Sequence, residues 1–278
     1  PPPPLFFFTP MPEYAILSGL VGSEMCIRDS LGCVELLAKL YFDVMNINPT
    51  EFQIDGKGED LFFLSNGHIS PVWYSVLSRR GFFPTEELAT FRKINSRVQG
   101  HPATEEGLPG IRVASGSLGQ GLSVALGAAE TKRLNGEDSW VYTLHGDGEL
   151  QEGQIWEAAM YAAHNKVDNI LSFVDCNGQQ IDGPCDEVLS LSDLAGKFTT
   201  FGWHVMECDG HDLEDLQRVI DEAHSRRGSG VPCIVLMKTE MGKGIDFMEG
   251  THKWHGVAPN DEQLADALSQ LEETLGDY

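Results

Sequence analysis

Positive charge is scarce in this chain: 19 Lys and Arg stand against 42 Asp and Glu in 278 residues, a formal net charge of −23. A surface that acidic repels phosphate backbones and anionic lipid, which argues against nucleic-acid binding and membrane attachment. Any phosphate held here must be met by a metal ion or by backbone N–H groups. Cysteine is sparse too. The six (Cys26, Cys33, Cys176, Cys185, Cys208 and Cys233) include no C-x-x-C pair. Zinc ribbons, redox dithiols and disulfide frameworks lose support, and a cytoplasmic location is expected. Long apolar runs are missing as well, since none reaches the roughly 20 residues that span a bilayer. What remains is 41% hydrophobic and 22% charged, an ordinary globular balance.

The opening is odd for such a protein. Pro1 to Pro4 precede Leu-Phe-Phe-Phe, Pro10 and Pro12, and the first positive charge is Arg28. That is no secretory signal. The stretch Val21-Gly-Ser-Glu-Met-Cys-Ile-Arg-Asp-Ser30 resembles translated sequencing-adapter read-through, the alternative being a natural Pro-rich arm. Residues 1–29 are therefore set outside the expected domain, which runs over 30–278.

From Ser30 the pattern becomes regular. Leu31, Val34, Leu37, Tyr41 and Val44 recur at helical spacing, with Asp29 or Ser30 available as cap. Strands are expected at 61–64, 140–144, 170–175, 203–207 and 233–238. Helices are expected at 71–80, 86–95, 118–134, 152–164, 192–200 and 213–226. Continuous apolar strands alternating with helices predict an α/β fold: a doubly wound parallel sheet in one domain. Ligands of such sheets bind beyond the carboxyl ends of the strands. The acidic tail from Asp261, with Leu264, Leu268, Leu271 and Leu275 at helical spacing, reads as a last helix docking on its own domain.

Three clusters carry chemistry. His145-Gly-Asp-Gly148 ends one strand, and Asp175-Cys-Asn-Gly178 ends the next. One Asp carboxylate and one Asn carboxamide, completed by a carbonyl and phosphate oxygens, suit octahedral Mg²⁺, so Asp147 and Asn177 are candidate ligands. The cation would offset the acidity noted above. The second cluster, Ser115-Gly-Ser-Leu-Gly-Gln-Gly121, opens a helix whose N–H groups could face an anion, and it reads equally as a structural glycine turn. Lastly, His68, His101 and His255 sit in Gly-bounded loops, an arrangement suited to proton handling or hydroxyl recognition.

These segments resemble the N-terminal part of transketolase, and more closely the separate N-terminal subunit of two-chain transketolases. The matching text includes Leu64-Ser-Asn-Gly-His-Ile-Ser-Pro71, Asn95-Ser-Arg-Val-Gln-Gly-His-Pro102, Ser115 to Gly121 and Gly146-Asp-Gly-Glu-Leu-Gln-Glu-Gly153. It continues through Asp175-Cys-Asn-Gly-Gln-Gln-Ile-Asp-Gly183 and Trp254-His-Gly256. The resemblance implies a thiamine diphosphate-binding fold with thiamine diphosphate and Mg²⁺ as cofactors. It implies Asp147, Asn177 and the Gln179 carbonyl as metal ligands. Gly148 would let backbone approach the diphosphate, with His68 beside it. Gly116 and Leu118 would meet the aminopyrimidine, and Ile181 the thiazolium. His101 and His255 would face the sugar and the reaction centre, and Glu152 would join an acidic network between paired sites.

The implied reaction is ketol transfer from a ketose phosphate to an aldose phosphate, as in the pentose phosphate pathway. Three departures from the family pattern stand out. Cys26-Ile-Arg-Asp29 replaces a Gly-His-x-Gly-Gly segment, and Met241 replaces a lysine common near the cofactor. This chain carries no sequence like the pyrimidine-binding domain that comes next in the family, which reads either as a gene fragment or as a natural subunit. The expectation is a subunit that needs a C-terminal pyrimidine-binding partner in a hetero-oligomer and is inactive without it. Deoxyxylulose-phosphate synthase-like or sulfosugar ketol transfer, or a non-catalytic binding module, are the alternatives.

Overall fold

The computed structural model describes residues 27–250, 254 and 257–271. Five parallel strands form the central sheet: β1 (Leu61–Leu64), β2 (Val141–Gly146), β3 (Ile170–Cys176), β6 (His204–Asp209) and β7 (Cys233–Lys238). Their spatial order is β1-β2-β3-β7-β6. Two-residue strands β4 (Gln179–Gln180) and β5 (Gly183–Pro184) pair as a small hairpin just beyond β3, and the short helix α6 (Cys185–Leu189) follows it. Strands β1, β2, β3 and β7 are almost wholly buried because both faces of the sheet are covered, while β6, at one edge, is only partly buried. Phe62, Leu64, Tyr142, Leu144, Leu171, Phe173 and Val235 face α2 (Val34–Lys39), α3 (Ser70–Arg80) and α8 (Leu213–Ser225). Leu61, Phe63, Val141, Ile170, Val174 and Ile234 face α4 (Gly121–Leu134), α5 (Gly153–His164) and α7 (Leu194–Thr200). The sheet is doubly wound, as the sequence pattern predicts.

Several boundaries shift for local reasons. The N-terminal apolar repeat is two helices, α1 (Ile27–Leu31) and α2, followed by a π-helical turn at Leu40–Val44. The break falls at Gly32, where an added Cβ would come 3.2 Å from the Glu240 carbonyl. Asp29 and Ser30 lie inside α1, and the N-cap position of α2 is Cys33, which makes no side-chain cap bond. All five residues of α1 are buried, so Ile27, Arg28 and Asp29 belong to the packed unit, ahead of the expected boundary at residue 30. The helix expected at 86–95 is a 3₁₀ turn over Thr85–Thr90, ended by Arg92 and Asn95 at φ 56° and 65°. Strands β2 and β6 each run two residues further than expected, because His145–Gly146 pairs with Val174–Asp175 and Cys208–Asp209 with Met237–Lys238.

The acidic tail does dock on its own domain. Helix α9 (Asp261–Gln270) has a capping box at Asn260 and Gln263. Its Ala267, with Leu271 after it, packs on Ile27, Leu31, Ile245 and Met248. Among the described residues no helix is long and apolar enough to cross a membrane.

Remote from the strand ends, one charged clamp holds the loop before β1. Lys132 is buried on α4 and reaches the Gly56 carbonyl and, at 2.7 Å, Glu137. Glu137 also accepts from Gly58 N at 2.8 Å. The Lys132 bond first, then that backbone bond, holds its carboxyl down at about 2. A depressed carboxylate stabilises the fold above its unfolded pKa and loses that contribution as pH falls through the folded value. Glu137→Gln should thus lower stability to urea at pH 7, and the difference should close between about pH 4 and pH 2. An equal difference at pH 7 and pH 3 would refute the linkage.

Candidate functional site

Parallel strands deliver their carboxyl ends to one edge, and three of those ends meet here. The turn after β1 is Ser65-Asn66-Gly67-His68, and Gly67 packs so tightly on the glycine loop that a Cβ would lie 2.6 Å from Gly116 N. Gly116 itself has φ 111°, and an added Cβ would run into the His101 ring. Only glycine fits both conditions there. Gly67-His68, His101 and Gly116–Leu118 therefore lie in one cluster. His68 is half-buried, with Nε2 3.7 Å from Asp29 Oδ2. His101 is exposed at its edge. Its contact with the fold, and then the Arg92 charge, lower its pKa. Leu118 is 41% exposed.

One strand over lies a second cluster. Asp147 is buried, and its carboxylate accepts from Gly148 N at 2.7 Å, Gly178 N at 2.6 Å and the Cys185 thiol at 3.3 Å. Asn177 Oδ1 accepts from Gln179 N at 2.9 Å, and its Nδ2 donates to Asp175 Oδ2 at 2.8 Å. Asp147, Asn177 and Gln179 are thus gathered by one turn. Gly148 lies under Gln180, whose Cβ would be 3.2 Å from an added Cβ. Burial raises the Asp147 carboxyl. Burial, with the Asp147 charge adding to it, pushes Asp175 up to about 7. Gln179 Oε1 and Gln180 Nε2 are buried atoms with no hydrogen-bond partner. Ile181 sits on the next turn, 69% exposed, and the exposed Glu152 caps α5 without a side-chain bond. His255, like His252, lies outside the described residues.

The two clusters are joined by Glu149, a residue to which the sequence reading gave no role. Its carboxylate is buried just past β2. It accepts from Ser65 Oγ, from Gly119 N at 2.8 Å and from Gly146 N at 3.2 Å. His145 Nδ1 lies 3.6 Å away, and the other ring nitrogen joins Thr143, which donates to Ser172. Burial alone would raise the Glu149 carboxyl. His145 and these hydrogen bonds outweigh it and hold the carboxyl below its usual value. Because Gly119 N points at Glu149 with φ 84°, α4 starts at Gly121 and not at 118. The only sequence hint was a charged residue four positions after a strand-end histidine.

A profile of the thiamine diphosphate-binding domain of transketolase matches residues 28–275. The chain belongs to the transketolase family. It is 36% identical over 265 residues to an apulose-4-phosphate transketolase subunit of Phocaeicola vulgatus, covering 94% of this chain and 89% of that one. It is 38% identical over 247 residues to a 6-deoxy-6-sulfo-D-fructose transketolase subunit of Clostridium sp., covering 88% of each. Among solved structures, transketolase from Leishmania mexicana superposes with a TM-score of 0.82 at 29% identity, over 92% of this chain. The chain spans 39% of that longer protein. The fold is the thiamine diphosphate-binding fold of transketolase.

Met241, which replaces a lysine common in transketolases, is turned inward and only 4% exposed. Its sulfur accepts from buried Arg28 at 2.8 Å. Lys243 stays near the surface, 4.0 Å from Glu240. An open cavity of about 570 Å³ lies to one side, at the ends of β3, β7 and β6, between Asp193, Glu207, Asp209 and Lys238. It is not where the predicted site residues gather.

Removing the Glu149 carboxylate strands two backbone donors and a hydroxyl away from water. Glu149→Ala should cost about 3 kcal/mol of stability. Chemical denaturation measures it, and a loss under about 1 kcal/mol would mean that the network contributes little.

Proposed function

We propose that this chain is the diphosphate-binding subunit of a two-chain transketolase that moves a two-carbon ketol unit between sugar phosphates. The observation that carries the reading is the convergence of Asp147 with the Asn177–Gln179 turn at adjoining strand ends. Hard oxygen donors of this kind suit Mg²⁺. No three His, Cys, Asp or Glu side chains converge on a point among the described residues, so the set draws on a carboxamide and a main-chain carbonyl instead. The buried, unpartnered Gln179 Oε1 and Gln180 Nε2 fit a polar occupant at the same place.

In this reading Asp147, Asn177 and the Gln179 carbonyl hold Mg²⁺ against the diphosphate, with Gly148 and His68 alongside. Bound there, thiamine diphosphate supplies the electron sink that lets a carbon–carbon bond beside a ketose carbonyl break. Gly116 and Leu118 flank the aminopyrimidine, and Ile181 the thiazolium. His101, neutral near pH 7 because its pKa is lowered, can accept a proton from a sugar hydroxyl. His68 and His255 take the same kind of role at the reaction centre, and Glu152 faces a neighbouring chain.

The partner is a pyrimidine-binding chain, which the naming of the similar proteins as subunits supports. Its docking surface is the outer side of α4 and α5, where Val124, Met160 and Tyr161 are exposed. The free thiols of Cys33, Cys176, Cys185, Cys208 and Cys233 accord with a cytoplasmic location. A second substrate reading is sulfosugar ketol transfer, favoured by the 38% identity to the Clostridium protein.

Calorimetric titration of thiamine diphosphate into the purified chain should give Mg²⁺-dependent heat that Asp147→Ala abolishes. Ketol transfer should appear only when a pyrimidine-binding chain is added. Binding that is indifferent to Mg²⁺ or to Asp147 would overturn the site. Activity of the single chain would overturn the need for a partner.

A further inference from the structure

We propose that Asp175 is a positioning residue: it fixes which end of the Asn177 carboxamide is turned to the metal. The inference rests on the metal–diphosphate reading above and deepens it. A carboxamide has two ends of similar size and opposite chemistry, and only its oxygen can ligate a cation. In the structure each end is committed. Nδ2 donates to Asp175 Oδ2 at 2.8 Å, and Oδ1 accepts from Gln179 N at 2.9 Å with a lone pair to spare. Flipping the group would set Nδ2 against the Gln179 N–H and Oδ1 against a carboxylate, two donors in one place and two acceptors in the other.

Asp175 is held in turn from two other parts of the fold. It is 2% exposed, and its Oδ1 accepts from Thr239 Oγ1, the first residue after β7. The Cys33 thiol at the start of α2 lies close beside it. Thr239 leads into the segment that pairs with α1 through Gly242 N and the Arg28 carbonyl at 2.9 Å. The acceptor that orients Asn177 is therefore anchored by strand, helix and loop, and its position is independent of any substrate.

The test compares two substitutions in the full chain. Binding of Mn²⁺ followed by electron paramagnetic resonance, and Mg²⁺-dependent thiamine diphosphate binding by calorimetry, are the readouts, with near-ultraviolet circular dichroism to confirm folding. Asp175→Leu removes the acceptor and should weaken metal binding at least tenfold. Asp175→Asn keeps an oxygen for Asn177 Nδ2 and an NH₂ group for the Thr239 hydroxyl, so it should stay within about threefold of the unaltered chain. Adding Asn177→Asp to Asp175→Leu should restore binding, because a carboxylate presents oxygen from either end.

Equal losses in the Asn and Leu variants would overturn the proposal in favour of a charge effect. No loss in either would overturn it outright. Should Asp175→Leu fail to fold, a tenfold loss in folded Asp175→Asn is enough to refute it. Absence of metal-dependent binding by the unaltered chain would instead sink the metal-site reading, and this proposal with it.

Discussion

The carboxylate of Glu149 is the knot that the strand-end loops depend on. It lies in the apolar interior, where an unpaired charge would be prohibitively costly, and it is tolerable only because donors from three segments converge on it. Those donors are Ser65 beyond β1, Gly119 in the glycine loop and Gly146 at the end of β2. Satisfying one buried charge thereby fixes the relative positions of the two clusters that make up the candidate site. The tight packing of Gly67 on Gly116, and of Gly116 on His101, follows from that placement.

A second constraint is the acidity of the site in an already acidic protein. Asp147 and Asp175 stand on neighbouring strand ends, both buried, and burial raises both carboxyls. Protein hydrogen bonds lower that cost without removing it. A divalent cation would favour the ionised carboxylates over the protonated ones, so in the proposed site metal and diphosphate binding would be coupled by charge. In a chain of net charge −23, the proposed metal site would offset the repulsion that an anionic cofactor otherwise meets.

Much of this was legible in the sequence, for physical reasons that can be named. The strands could be read because a sheet covered on both faces leaves little room for polar residues, as in Leu61–Leu64 and Cys233–Lys238. Asp147 and Asn177 could be read because each follows such a strand by one residue. What escaped was tertiary. Nothing local distinguishes Glu149 from a solvated glutamate, or tells that Asp175 faces Asn177, Thr239 and Cys33. The break at Gly32 was hidden because its cause, the Glu240 carbonyl, is 208 positions away. Met241 read as a replacement for a lysine near the cofactor, yet its sulfur is spent on Arg28 in the interior.

The polar half of the site is closely organised while its apolar half is open. Asp147, Asn177 and Glu149 each have several hydrogen-bond partners, whereas Leu118 and Ile181 are exposed and stand at the rim. Hydrogen-bonded loops can be set in one chain because their partners lie on adjoining strand ends. Exposed apolar side chains gain stability only when a second surface removes them from water. The fold thus builds the part that needs strict polar geometry by itself, and leaves the apolar wall to be closed by a second surface. In the proposed function, division of the site along that line leaves the metal–diphosphate end preformed and the chemistry to an assembled pair of chains.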